Sequence, residues 1–174
     1  FFAVKKWLKN HSDEAILNLP LMREEKKILA MEVMRERSNV AFILGKITDF
    51  LLGILLRLRM SFEHGISEET AAALATHAVS LGMFGDEEGA QRCAKLALHI
   101  MVLTRGKRLK GLTLFLVTRF VDSWRLPGSD VMEGFKRDHV SAMEAGDVEM
   151  GALCWYNSNW HAFISGMQLA PLVD

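Results

Sequence analysis

An excess of charge of either sign is the first thing this chain lacks: 21 basic residues balance 21 acidic ones, for a formal net charge of zero. That balance offers no electrostatic basis for holding nucleic acid or an acidic membrane surface, so neither is expected as a partner. Cysteine is scarce, with Cys93 and Cys154 the only two. They lack metal-ligand spacing and read as buried thiols in a reducing, cytoplasmic compartment. Long hydrophobic runs are missing too. The most apolar stretch, Phe50 to Leu56, is stopped by Asp49 before it and by Arg57 and Arg59 after it. A bilayer span needs about 20 apolar residues, so a soluble segment is expected. There are only three prolines and no low-complexity linker. The opening Phe1-Phe2-Ala3-Val4 has neither an initiator methionine nor a basic flank, so the chain is expected to be a piece of a longer protein without a signal peptide.

What the chain has in quantity is helix-forming apolar residues. Half of its 174 residues are hydrophobic, enough for a globular unit with a core of its own. No strand-like alternation of useful length occurs. Phe1 to Leu8 reads as the end of a helix, and residues 1–20 as that end plus a polar connection closed by Pro20. Arg23 to Arg37 is expected as a helix with Ile28, Met31, Val33 and Met34 facing inward, broken at Ser38-Asn39. Val40 to Glu63 is expected as the longest and most central helix. Ile43, Ile47, Phe50, Leu51, Ile54, Leu58 and Phe62 recur there at helical spacing.

From Gly65 onward the breakers fall at a steady interval of about 20 residues: Gly65, Gly85, Gly106, Pro127-Gly128, Gly146 and Gly166. One helix plus one short turn per period marks an array of α-hairpins. The spacing predicts helices over 67–84, 86–105, 108–126, 130–145 and 147–165. Inner faces are expected from Leu74, Ala78 and Leu81, then Ala90, Ala94, Ala97 and Met101, then Leu109, Leu112, Leu116 and Phe120. Val131, Phe135 and Ala142 serve the fourth helix, and Val148, Gly151, Trp155 and Ala162 the fifth. Gly85-Asp86-Glu87-Glu88 and Gly146-Asp147-Val148-Glu149 share a glycine stop, a capping aspartate and a following acid. They lie three helices apart, so the repeat is not a strict helix pair. The fold class expected is all-α, an antiparallel α-hairpin array over 21–174.

Positions 74 to 98 resemble a degenerate tetratricopeptide repeat, with Ala78, Gly85, Asp86, Ala90 and Ala97 at its turn and packing places. They depart from it at Ala94, where a large aromatic is usual. A broader resemblance covers about 16 to 172. It rests on Ile16-Leu17-Asn18-Leu19-Pro20-Leu21, Leu58-Arg59-Met60-Ser61-Phe62-Glu63-His64-Gly65, and Gly82-Met83-Phe84-Gly85-Asp86. Ala94-Lys95-Leu96-Ala97-Leu98, Ser123-Trp124-Arg125, Glu144-Ala145-Gly146-Asp147-Val148-Glu149 and Phe163-Ile164-Ser165-Gly166 with Leu169 complete it. In this order the pieces resemble the helical-repeat region of very large signalling proteins. Those proteins carry a protein-kinase-like domain, a predicted AAA-type ATPase, the helical array, a GAF domain and often a histidine kinase. The resemblance implies a superhelical scaffold that couples neighbouring domains or holds a protein partner. It carries over no catalytic residue.

No reaction is legible in the residues. Gly106-Lys107-Arg108 is the nearest approach to a phosphate-binding loop, and it lacks the leading glycine and the hydroxyl residue. Neither a nucleophile elbow nor a His-Glu-x-x-His pair occurs. The expectation is no enzyme, no cofactor and no metal in this segment. The candidate recognition cluster is Trp155-Tyr156-Asn157-Ser158-Asn159-Trp160-His161. Tyr156 and Trp160 share one helix face, and Asn157 and His161 another, which would suit a groove for a peptide or small ligand, or an interhelical polar network. An all-α ligand-binding or enzymatic domain built there is the alternative reading. Trp124 is expected to anchor packing before the Pro127 break.

Overall fold

The computed structural model describes residues 2–167, with side chains from Val4 onward. Every regular element among them is helical, apart from one isolated parallel bridge between Leu21 and Ile66. The chain divides into two compact units, Phe1–Gly106 and Lys107–Asp174.

The first unit holds α1 (Phe2–Asn10), α2 (Asp13–Leu17), α3 (Glu25–Ile43), α4 (Ile47–His64), α5 (Glu68–Met83) and α6 (Glu87–Thr104). α3 pairs with α4 and α5 with α6, while α5 also packs against α4. One turn closes both pairs. Gly45 N–H donates to Phe42 O at 3.0 Å and Lys46 N–H to Ala41 O at 2.8 Å; Gly85 and Asp86 repeat this with Gly82 O at 3.0 Å and Leu81 O at 2.9 Å. This pair of hydrogen bonds satisfies the last carbonyls of a helix but needs a left-handed residue, hence glycine, with φ +68° and +77° at the two positions.

The expected break at Ser38-Asn39 does not exist. Ser38 Oγ donates to Met34 O one turn back at 2.7 Å, so the serine stays inside α3. The true break is Gly45, one period before Gly65, and it splits the long helix expected over 40–63. Ile43 and Ile47 therefore flank a hairpin tip and are exposed rather than inward, as is Val33 on the outer face of α3. The central helix is α5 instead. Its alanines Ala71, Ala72, Ala73, Ala75 and Ala78 are buried on every side, and their small volume lets α4 and α6 approach its backbone. At the start of α5 Thr70 Oγ1 accepts from the Ser67 N–H at 2.9 Å.

Gly65 sits at φ +109°, and a Cβ there would collide with the Pro20 carbonyl. That close approach carries the bridge, in which Ile66 N–H donates to Pro20 O and Met22 N–H to Ile66 O, each at 2.8 Å. At the end of α6 the left-handed residue is Arg105 rather than Gly106. Gly106 is needed for space, because its Cβ would lie 2.6 Å from Glu68 Cβ.

The second unit holds α7 (Lys110–Phe120), α8 (Gly128–Glu144) and α9 (Val148–Ile164). The α8–α9 pair is closed by the same turn, with Gly146 N–H on Met143 O at 3.0 Å and Asp147 N–H on Ala142 O at 2.9 Å. Val131, Phe135 and Cys154 form the core, with Phe115 of α7 against them. The single helix expected over 108–126 stops at Phe120, and a 3₁₀ turn follows over Asp122–Trp124. Ser123 Oγ donates to Thr118 O at 2.8 Å, which draws the chain out of the α-helical path. Trp124 is 83% exposed there, not a packing anchor. On α9 the buried positions are Gly151, Cys154, Asn157, Ser158 and Ala162, so Val148 and Trp155 lie on the open side rather than inside.

Candidate functional site

The residues at the two aspartate turns sit where helix chemistry puts them. Asp86 Oδ1 accepts from Gly89 N–H at 3.0 Å and Asp147 Oδ1 from Met150 N–H at 3.2 Å, each satisfying a donor at the start of its helix. Asp86 also binds Lys5 Nζ at 2.7 Å through Oδ2. The Lys5 bond, followed by the Gly89 bond, holds the Asp86 carboxyl below its usual range. Ala78, Ala90 and Ala97 are buried between the helices that Gly85 and Asp86 join. Gly146 and Asp147 perform the same turn in the second unit. These residues build hairpins and present no reacting group.

The aromatic–amide cluster on α9 is divided by the helix. Tyr156 and Trp160 are 62% and 48% exposed on its outer side. Asn157 is buried and spends its amide on its own helix, with Nδ2 donating to Leu153 O at 2.8 Å. The His161 ring lies 5.5 Å from the Phe135 ring. Burial, then nearby Arg119, lowers its pKa, so the imidazole is neutral at pH 7. The four side chains therefore do not converge on one cavity. Tyr156 and Trp160 form an open aromatic surface, whereas Asn157 and His161 belong to the packing of the second unit.

Two features of the first unit were not expected. One is a cavity of about 370 Å³ between α1, α5 and α6, lined by Leu8, Lys9, His77, Leu81, Arg92 and Cys93 among others. Burial lowers the His77 pKa to about 4 and raises that of Cys93 to about 12. At neutral pH the cavity thus presents a neutral imidazole and an intact thiol. Arg92 holds α1 over it, donating to Leu8 O, His11 O and Asp13 Oδ1 at 2.6 Å each.

The second feature is a buried charge cluster of α3, α4 and α5. Arg35 Nε donates to Glu69 Oε1 at 3.4 Å, and Arg57 Nη1 lies 3.8 Å from Glu69 Oε2. No sequence signal marks this cluster: Glu69 looks like an ordinary acid in the first turn of a helix. The cavity is equally silent, because its lining comes from segments roughly 70 to 85 residues apart. The described residues contain no group of three or more His, Cys, Asp or Glu side chains able to hold a metal ion. None of their helices is long and apolar enough to cross a membrane.

No family model, curated protein or solved structure matches the chain.

Proposed function

We propose that this chain is a non-catalytic helical-repeat scaffold, a tetratricopeptide-like α-hairpin superhelix of a large cytoplasmic signalling protein that couples flanking domains or holds a protein partner. The observation that carries the reading is the recurrence of one turn. The same glycine-centred double hydrogen bond joins α3 to α4, α5 to α6 and α8 to α9, and in each case the two helices pack against each other. Stacked hairpins of this kind transmit force and offer regular side chains to a partner without needing a reactive centre. The large apolar side chains left open on α3, α4 and α9 suit contacts with further protein.

The parent's domain order is the direct test. Sequencing the transcript on both sides of this segment is expected to show a protein-kinase-like domain and an AAA-type ATPase before it. A GAF or histidine-kinase domain is expected after it. A reading frame that closes at both ends, or that runs into unrelated domains, would remove the signalling assignment. Deleting α3 to α9 from the parent is expected to abolish its signalling response; an unchanged response and partner set would remove the coupling role.

A further inference from the structure

α1 lies over a cavity of about 370 Å³, whereas α3 to α6 pack directly on one another. Among its described side chains only Val4 and Leu8 are buried. Trp7 is half-buried, with its ring 3.6 Å from that of Phe62 on α4 and 3.9 Å from that of His11. The ion pair of Lys5 with Asp86 is open to solvent and adds little. Arg92 supplies the rest of the fastening. Its Nε donates to Asp13 Oδ1, its Nη1 to Leu8 O and its Nη2 to His11 O, each at 2.6 Å.

Those three acceptors stand on different segments. Leu8 belongs to α1, Asp13 to α2, and His11 to the two-residue non-helical link between them. One planar guanidinium therefore spans both sides of a hinge and fixes its angle. The α2 side is held without it, because Ile16 is fully buried and Ile66 N–H donates to Pro20 O at 2.8 Å. The α1 side has no such support. Its nine residues fall short of the roughly 12–15 at which a free helix becomes even marginally stable. Once undocked, α1 has little reason to stay helical.

We infer that α1 is a hinged strap latched by Arg92: it lifts about His11-Ser12 and uncovers Cys93 and His77 while α2 to α6 stay folded. Both residues line the cavity beneath it and are 2% and 1% exposed in the closed state. Latch and thiol are neighbours in the chain, so release of Arg92 from the strap and access to Cys93 are one event. The strap is a property of the first unit alone and does not rest on the signalling reading.

Hydrogen exchange followed by mass spectrometry on the unmodified chain is the first test. Amides of α1 are expected to exchange at least about 100-fold faster than those of α5, because α1 opens without the rest of its unit. Equal protection of the two helices would overturn the inference. Arg92→Met keeps the apolar stem of the side chain and removes the latch. In this variant alkylation of Cys93 by N-ethylmaleimide, located by peptide mapping, is expected to speed up by about tenfold or more. Slow exchange in α5 should persist, and Cys154 in the other unit should react as before. Trp7→Ala, which removes the stack on Phe62 and leaves α6 untouched, repeats the measurement should Arg92→Met lose helicity. An unchanged Cys93 rate, or a gain matched by lost protection of α5, would also overturn it, since the thiol would then be reached only when the whole unit unfolds. None of these outcomes bears on the parent's domain order.

Discussion

Arg57 Nη1 lies 3.8 Å from Glu69 Oε2 with both side chains fully buried, so one carboxylate on α5 supports a guanidinium on α4 deep inside the first unit. Arg35 reaches the same carboxylate from α3, which ties three helices to one side chain. Burial lowers the Arg57 pKa to about 10 despite the attraction of Glu69, so desolvation outweighs the pairing. The Arg57 Nε has no hydrogen-bond partner among the described residues. Glu69→Ala is therefore expected to cost about 3–5 kcal/mol by urea unfolding, since it strands the guanidinium. Replacing Glu69 and Arg57 together by methionine should cost less than Glu69→Ala alone. A single-variant loss near zero would mean that water reaches the cluster.

His77 makes stability depend on pH in one window. Its folded pKa, about 4, lies below its ordinary value of 6.5, so the unfolded chain binds the extra proton between those values. Stability from this group is complete above pH 6.5 and is lost as pH falls toward 4, by about 3 kcal/mol over the window. Thermal unfolding at half-unit steps should show this slope, and His77→Gln should flatten its share of it. An unchanged slope in the variant would assign the effect to other groups.

Gly111 allows α7 to touch the α8–α9 pair. A Cβ there would stand 2.6 Å from Asp147 Oδ2 and 2.9 Å from Met150 Cβ. Gly111→Ala is expected to destabilise the second unit by about 1–3 kcal/mol through overpacking, despite the better helix propensity of alanine. A more stable variant in guanidinium unfolding would show that α7 can shift without loss.

The two capping aspartates should behave alike. Asp86→Ala and Asp147→Ala are each expected to cost about 1 kcal/mol, because each leaves a donor at its helix start unsatisfied. Lys5→Ala should cost less than about 0.5 kcal/mol, since its bond to Asp86 is solvent-accessible and screened. A larger loss for Lys5→Ala than for Asp86→Ala would mean that α1 docking, not capping, is what Asp86 supports.

Much of the helix pattern could be read from local chemistry. Glycines near every twentieth residue marked most of the ends, and Ala78, Ala90 and Ala97 marked the close-packed pair between them. Errors came where a local rule had two outcomes. Ser38 can break a helix or bond back into it, and Gly45 lay unnoticed inside an apolar stretch that looked continuous. The α9 cluster was legible as aromatic and polar residues at helical spacing. Its division into an open aromatic side and a packed Asn157–His161 side was not, because spacing does not say which arc meets Phe135.

Composition and periodicity were enough to establish an all-helical chain with no membrane-spanning helix among its described residues, because capping, glycine conformation and the 3.6-residue repeat act within a few residues. Only the folded structure decided that α5 is the buried centre of its unit, that Glu69 meets two arginines, and that His77 and Cys93 share a cavity beneath α1. Those outcomes depend on which distant segments exclude water from one another, and burial of that kind leaves no mark on neighbouring residues in the chain.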